Sequence, residues 1–155
     1  MAGAVLTAFA AIFLIFMRPT DTRLVLHLEN ADTGRMVLSL PVNDGDGFII
    51  SYIHSVNISP VREIFEIKHG RIILTALEFY TFGAGIEAPA LPAQTLINLP
   101  GGGMRIDGFL REVSNLRYMV GYTSELTLHF MDDEIPLVTL VEPGVAIMIS
   151  VQLDR

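Results

Sequence analysis

From residue 24 onward, apolar and polar side chains alternate with a period of two, and this alternation restricts the chain more than any other feature of its sequence. Leu24, Leu26 and Leu28 alternate with Arg23, Val25, His27 and Glu29, and Met36, Leu38 and Leu40 with Arg35, Val37 and Ser39. Between the two runs, Asn30-Ala31-Asp32-Thr33-Gly34 has the composition of a turn, so the spacing predicts a hairpin. Further strands are predicted at Phe48–His54, Val61–Lys68, Ile72–Tyr80, Leu116–Val120, Ser124–Met131, Ile135–Val141 and Val145–Leu153, most of them separated by Gly, Pro, Asn or Asp. No stretch after residue 20 sustains a 3.6 period. The expectation for residues 20–155 is one all-β domain, an antiparallel sandwich or a barrel-like sheet.

Such a domain does not account for the apolar content. The chain has 155 residues, 51% of them apolar, and a mean hydropathy of +0.50. Part of the excess lies in Ala2 to Met17, where Thr7 is the sole polar residue. As a helix this run is slightly short for a hydrocarbon core of about 30 Å. No Lys or Arg precedes it and no small-residue cleavage site follows, which favours a retained anchor over a cleaved signal. Residues 1–19 are therefore expected to be a single transmembrane helix, with Ala4, Thr7, Ala8 and Ala11 forming a small-residue stripe for lateral packing. The β domain is then expected on the periplasmic side of the inner membrane, and the absence of cysteine agrees with either side.

Charge removes two classes of partner. All 17 Asp and Glu lie beyond residue 20 together with nine of the ten basic residues, so the domain carries −8. Nucleic acid and anionic lipid both require clustered Lys and Arg. Only Lys68 is a lysine.

Thr81 to Gly103 interrupts the alternation with five Gly, three Pro and no persuasive strand. It lacks the Lys-Ser/Thr ending of a phosphate loop. A loop of this length is either a flexible connection or a contact surface, and Phe82, Gly83, Ala84, Gly85 and Ile86 are the candidate partner contacts.

Following the pleat through the central strands brings titratable groups together. Phe48, Ile50, Tyr52 and His54 share one face, as do Val61, Glu63, Phe65 and Ile67. A tight turn at His69-Gly70 pairs Glu63 with Ala76 and Val61 with Glu78, and a loop over Ser55–Pro60 that pairs His54 with Val61 sets Tyr52 opposite Glu63. These registers gather Tyr52, His54, Glu63 and Glu78 at one end of a sheet face. Three roles are open to the group. The carboxylates can be structural acceptors for Tyr52, His54 or backbone amides, because a buried carboxylate must be paired or neutralised. His54, Glu63 and Glu78 can form a ligand or divalent-metal site. His54 with Ser55 and a carboxylate can form a hydrolytic set, although neighbouring residues on a strand face opposite ways. His27, His69 and His129 are expected to be solvent-exposed.

Three blocks in this region carry a resemblance. Tyr52-Ile53-His54-Ser55-Val56, then Pro60-Val61-Arg62-Glu63, then Tyr80-Thr81-Phe82-Gly83-Ala84-Gly85-Ile86 resemble the HSV, P-V-x-E and G-A-G signatures of a small bacterial family of unknown function. Its members have an N-terminal hydrophobic segment and are encoded beside TAXI-type TRAP transporters, ion-driven importers of organic acids that use an extracytoplasmic solute-binding protein. The resemblance spans the chain, and it brings no established catalytic or binding residues. It implies a non-catalytic, membrane-anchored accessory subunit without cofactor or bound metal, whose partners are the transporter's membrane subunits and its solute-binding protein. The alternative is an extracytoplasmic ligand- or metal-binding module built on His54, Glu63 and Glu78.

Overall fold

A computed structural model describes residues 23–81 and 91–154. The anchor expected at residues 2–17 and the contacts expected from Phe82, Gly83, Ala84, Gly85 and Ile86 lie outside the described residues. Within them the chain forms β1 (Leu24–Asn30), β2 (Met36–Val42), β3 (Gly47–His54), β4 (Ser59–Lys68), β5 (Arg71–Phe79), β6 (Thr95–Asn98), β7 (Met104–Glu112), β8 (Leu116–Met119), β9 (Thr127–Phe130), β10 (Asp133–Pro136) and β11 (Ala146–Leu153). The only helical turn among them is a 3-10 turn at Leu137–Thr139.

These strands make two antiparallel sheets, one in the order β2-β1-β11-β8 and one in the order β10-β9-β3-β4-β5-β7-β6. Neither sheet closes on itself, so the barrel alternative falls and the two-sheet alternative holds. One apolar core joins them: Leu26, Leu28, Ile147 and Ile149 from the smaller sheet meet Phe48, Ile50, Phe65 and Phe79 from the larger. Phe48 and Phe65 stack with ring centroids 5.0 Å apart.

The predicted hairpin forms as β1 and β2, and its turn closes because Asn30 Oδ1 accepts from the amides of Asp32 and Thr33 at 3.0 and 2.9 Å. Two strands, β6 and β7, escape the period-two reading. β6 is a four-residue edge strand with every residue exposed, so it has no apolar face to read. In β7 the buried Ile106 and Phe109 lie three residues apart. A bulge at Gly108 supplies the odd residue, with φ of +86°, and any Cβ there would run into the carbonyl of Ala93.

A second irregularity governs the centre of the larger sheet. Ile64 pairs with Ala76 but Phe65 pairs with Leu74, so Thr75 is an extra residue in β5. Its hydroxyl donates to the Ile64 carbonyl at 3.1 Å. Beyond that point every partner of β4 is displaced by one, which reverses the face that each following residue of β5 presents.

Candidate functional site

Glu63 is the one acidic side chain in the inward row Val61, Glu63, Phe65 and Ile67 of β4, whose other members are almost wholly buried. A carboxylate there needs donors. The main one comes from the opposite sheet, where the hydroxyl of Tyr118 on β8 donates to Glu63 Oε2. Tyr52 on β3 approaches from the same sheet, its ring centroid 6.2 Å from that of Tyr118 at a 52° tilt. Burial lifts the Glu63 carboxyl above its ordinary value, against the opposing pulls of the Tyr118 hydrogen bond, the Arg111 charge and Tyr52. Burial, with the Glu63 charge nearby, also pushes both phenols well above the usual tyrosine range. In this partly buried seam between the sheets, the Tyr118 hydroxyl donates to the Glu63 carboxylate and the Tyr52 ring lies beside that of Tyr118. The arrangement is a bridge from β4 to β8 with Arg111 contributing field from β7.

The expected cluster is only partly assembled. Tyr52 and Glu63 do share a face, but as diagonal neighbours, because Tyr52 pairs with Val61 and Glu63 pairs with Ile50. The reason is the turn length: residues 55–58 alone connect the strands, so His54 pairs with Ser59 instead of Val61. An offset of two residues preserves the face while moving the partner. His54 consequently lies four residues along the ladder from the position of Glu63, about 13 Å at strand rise. Its Nδ1 accepts from the amides of Val56 and Asn57 at 3.3 and 3.5 Å, closing the turn, while Ser55 is exposed in that turn.

Glu78 is removed altogether. The extra residue at Thr75 pairs Glu63 with Leu77 and Arg62 with Glu78, which puts Glu78 on the outer face. There its oxygens meet Arg62 Nε at 3.3 Å and Arg105 Nη1 at 2.9 Å, and Arg105 Nε reaches Asp107 at 2.7 Å. His54, Glu63 and Glu78 thus occupy a turn, the core and the outer face. Among the described residues no three His, Asp or Glu converge as metal ligands would.

Two of the groups acting on Glu63 were missed in the sequence. Tyr118 was legible, since Leu116, Tyr118 and Val120 alternate inward on a predicted strand. Arg111 was not, because the bulge at Gly108 hides β7. The expectation that His129 is exposed also fails: its side chain is 18% exposed and its Nε2 shares a hydrogen bond of 2.7 Å with Ser51 Oγ. His69, by contrast, is exposed as expected, at 92%.

The family described as "Domain of unknown function (DUF1850)" matches residues 48–137, which span β3 to the start of the 3-10 turn and include Tyr52, Glu63, Arg111 and Tyr118. No curated protein and no solved structure matches the chain.

Proposed function

The chain belongs to the DUF1850 family, and on that premise we propose that it is a non-catalytic accessory subunit of a TAXI-type TRAP transporter for organic acids. Residues 2–17 hold it in the inner membrane, the β domain lies on the periplasmic side, and it associates with the membrane subunits and the solute-binding protein. One observation carries the non-catalytic part of this reading. Two of the three signature blocks are the two arms of a single hairpin, β3 and β4, and two of their polar residues, His54 and Glu63, are engaged in structural contacts. His54 closes its turn, and Glu63 braces it against Tyr118 of the other sheet. Residues used in this way favour presentation of a surface over turnover of a substrate. The transporter association rests on the resemblance of the three blocks, and the anchor rests on the apolar run, since no helix among the described residues is long and apolar enough to cross a membrane.

The test uses the tagged full chain extracted in mild detergent and a strain that lacks its gene. Copurification of the membrane subunits together with reduced organic-acid uptake in the deletion strain is the expected result. Absence of the subunits from the purified material, with uptake unchanged, overturns the proposal.

A further inference from the structure

The β3–β4 turn is built against the preferences of its own residues. Ile58 has φ of +47°, a left-handed conformation that β-branched side chains strongly disfavour and that Gly or Asn adopts easily. The same side chain is 81% exposed, so no burial offsets the strain, and Val56 two residues earlier is 68% exposed. Beneath them Asn57 Nδ2 and Ser59 Oγ are shielded from solvent without a hydrogen-bond partner among the described residues. Folding alone would favour a small polar residue at position 58. Local costs of this kind concentrate where a protein makes contact with something else.

The surroundings extend the same surface. The loop before β9 lies against the end of β3, the Ile53 amide donating to the Ser124 carbonyl at 2.7 Å, and it carries Tyr122 at 86% exposure. Tyr80, 51% exposed, follows the end of β5 beside Gly103. Residues 54–61, 79–81 and 95–104 at this end of the larger sheet, and residues 120–124 in the loop before β9, contain no Asp, Glu, Lys or Arg, and Arg62, Arg105 and Glu125 bound them. Exposed apolar side chains set in an uncharged stretch of surface mark an interaction surface, and an uncharged partner surface complements it.

Position distinguishes among occupants. β4 runs ten residues from Ser59 to Lys68, about 33 Å at strand rise, and ends at the His69-Gly70 turn. Leu24 packs against that turn, its Cδ2 3.5 Å from where a Cβ on Gly70 would lie. The N-terminal segment therefore joins the domain at the end opposite Ile58. On the proposed anchoring by residues 2–17, the Val56–Ile58 tip is the end of β4 remote from the point where the described chain begins.

We infer that the tip of the β3–β4 hairpin, with Val56 and Ile58 at its centre and Tyr80 and Tyr122 beside it, is the docking surface for a water-soluble protein that presents an uncharged apolar recess. Under the accessory-subunit reading, on which this assignment rests, that partner is the solute-binding protein of the transporter. Ile58 is retained at the expense of stability because its side chain fills the recess.

The experiment uses the full chain in lipid nanodiscs with a photo-crosslinking amino acid at Val56 or, as the opposite-end control, at His69. Each is mixed with the purified solute-binding protein or with the detergent-solubilised membrane subunits. Crosslinking to the solute-binding protein from position 56 and not from position 69 is expected. The Ile58→Asn variant is expected to raise the melting temperature by about 3–6 °C and to weaken binding of the solute-binding protein about ten-fold or more. Because this variant relieves strain, loss of binding cannot be ascribed to misfolding. Crosslinks from position 56 to lipid, to a second copy of the chain or to the membrane subunits alone overturn the assignment, as does unchanged affinity in Ile58→Asn. If the membrane subunits still copurify in those cases, the accessory reading stands without this surface; if neither component binds, both fall.

Discussion

At the scale of single residues, Glu63 and Glu78 show how one sequence type takes two roles. Glu63 is held inside, where burial lifts its carboxyl above the ordinary 4.5 against the pull of Tyr118, Arg111 and Tyr52. The folded protein then binds this proton more tightly than the unfolded chain does. Its stabilising effect is complete below about pH 4.5 and is lost as pH rises through the folded value. Denaturant titrations of the wild type and Glu63→Gln across this range should therefore diverge, with the wild type losing stability relative to the variant as pH increases. Parallel curves would remove the buried-carboxyl account. Tyr118→Phe should weaken the fold by about 1–2 kcal/mol at neutral pH, since it leaves the carboxylate short of a donor. Glu78 gives the contrasting case. Its partners Arg62 and Arg105 are 42% and 32% exposed, so Glu78→Gln should lower stability by less than about 1 kcal/mol and the loss should shrink with added salt.

At the scale of elements, two bulges decide what the strands present. Thr75 in β5 turns Leu77 inward and Glu78 outward, and Gly108 in β7 lets both Ile106 and Phe109 reach the core. The second device depends on the absence of a side chain, because the carbonyl of Ala93 occupies the space a Cβ would need. Gly108→Ala combines that collision with an unfavourable φ, and a loss of about 2–3 kcal/mol is expected in urea unfolding. A change under about 0.5 kcal/mol would mean that the segment before β6 yields freely. Most strands were legible from alternation because a strand buried on one face repeats every two residues. The bulged β7 and the exposed β6 were not, since the first breaks the period and the second has no inward face.

At the scale of the whole molecule, the two sheets meet through one core and through the Tyr118–Glu63 bridge, and their strands are unequally protected. β4 lies between β3 and β5, and β11 between β1 and β8, whereas β2, β8, β10 and β6 end the sheets among the described residues. Amide exchange in native conditions should thus be slowest in β3, β4 and β5 and fastest in β2, β6 and β10, where one side of the ladder is unpaired. Uniform exchange over all strands would contradict this division. The distribution of charge has the same asymmetry along the molecule. The Lys68–Arg71 turn region beside the N-terminal end is charged, while the tip around Ile58 is not.

Alternation along the chain determined by itself that this is an all-β domain, and it put Tyr52 and Glu63 on a common face, because the side-chain period of a strand is a local property. It also marked Ala2 to Met17 as a candidate anchor, since an apolar run of that length has no place in a β core. The identity of the neighbours belonged to the tertiary structure. A four-residue turn set His54 opposite Ser59, and one extra residue at Thr75 carried Glu78 to the outer face. Tyr118 arrived from the other sheet, 55 residues away in sequence. Turn length and bulges shift pairing by whole residues while leaving the alternation on either side almost unchanged, so which polar groups meet is decided only when the strands pair and the sheets pack.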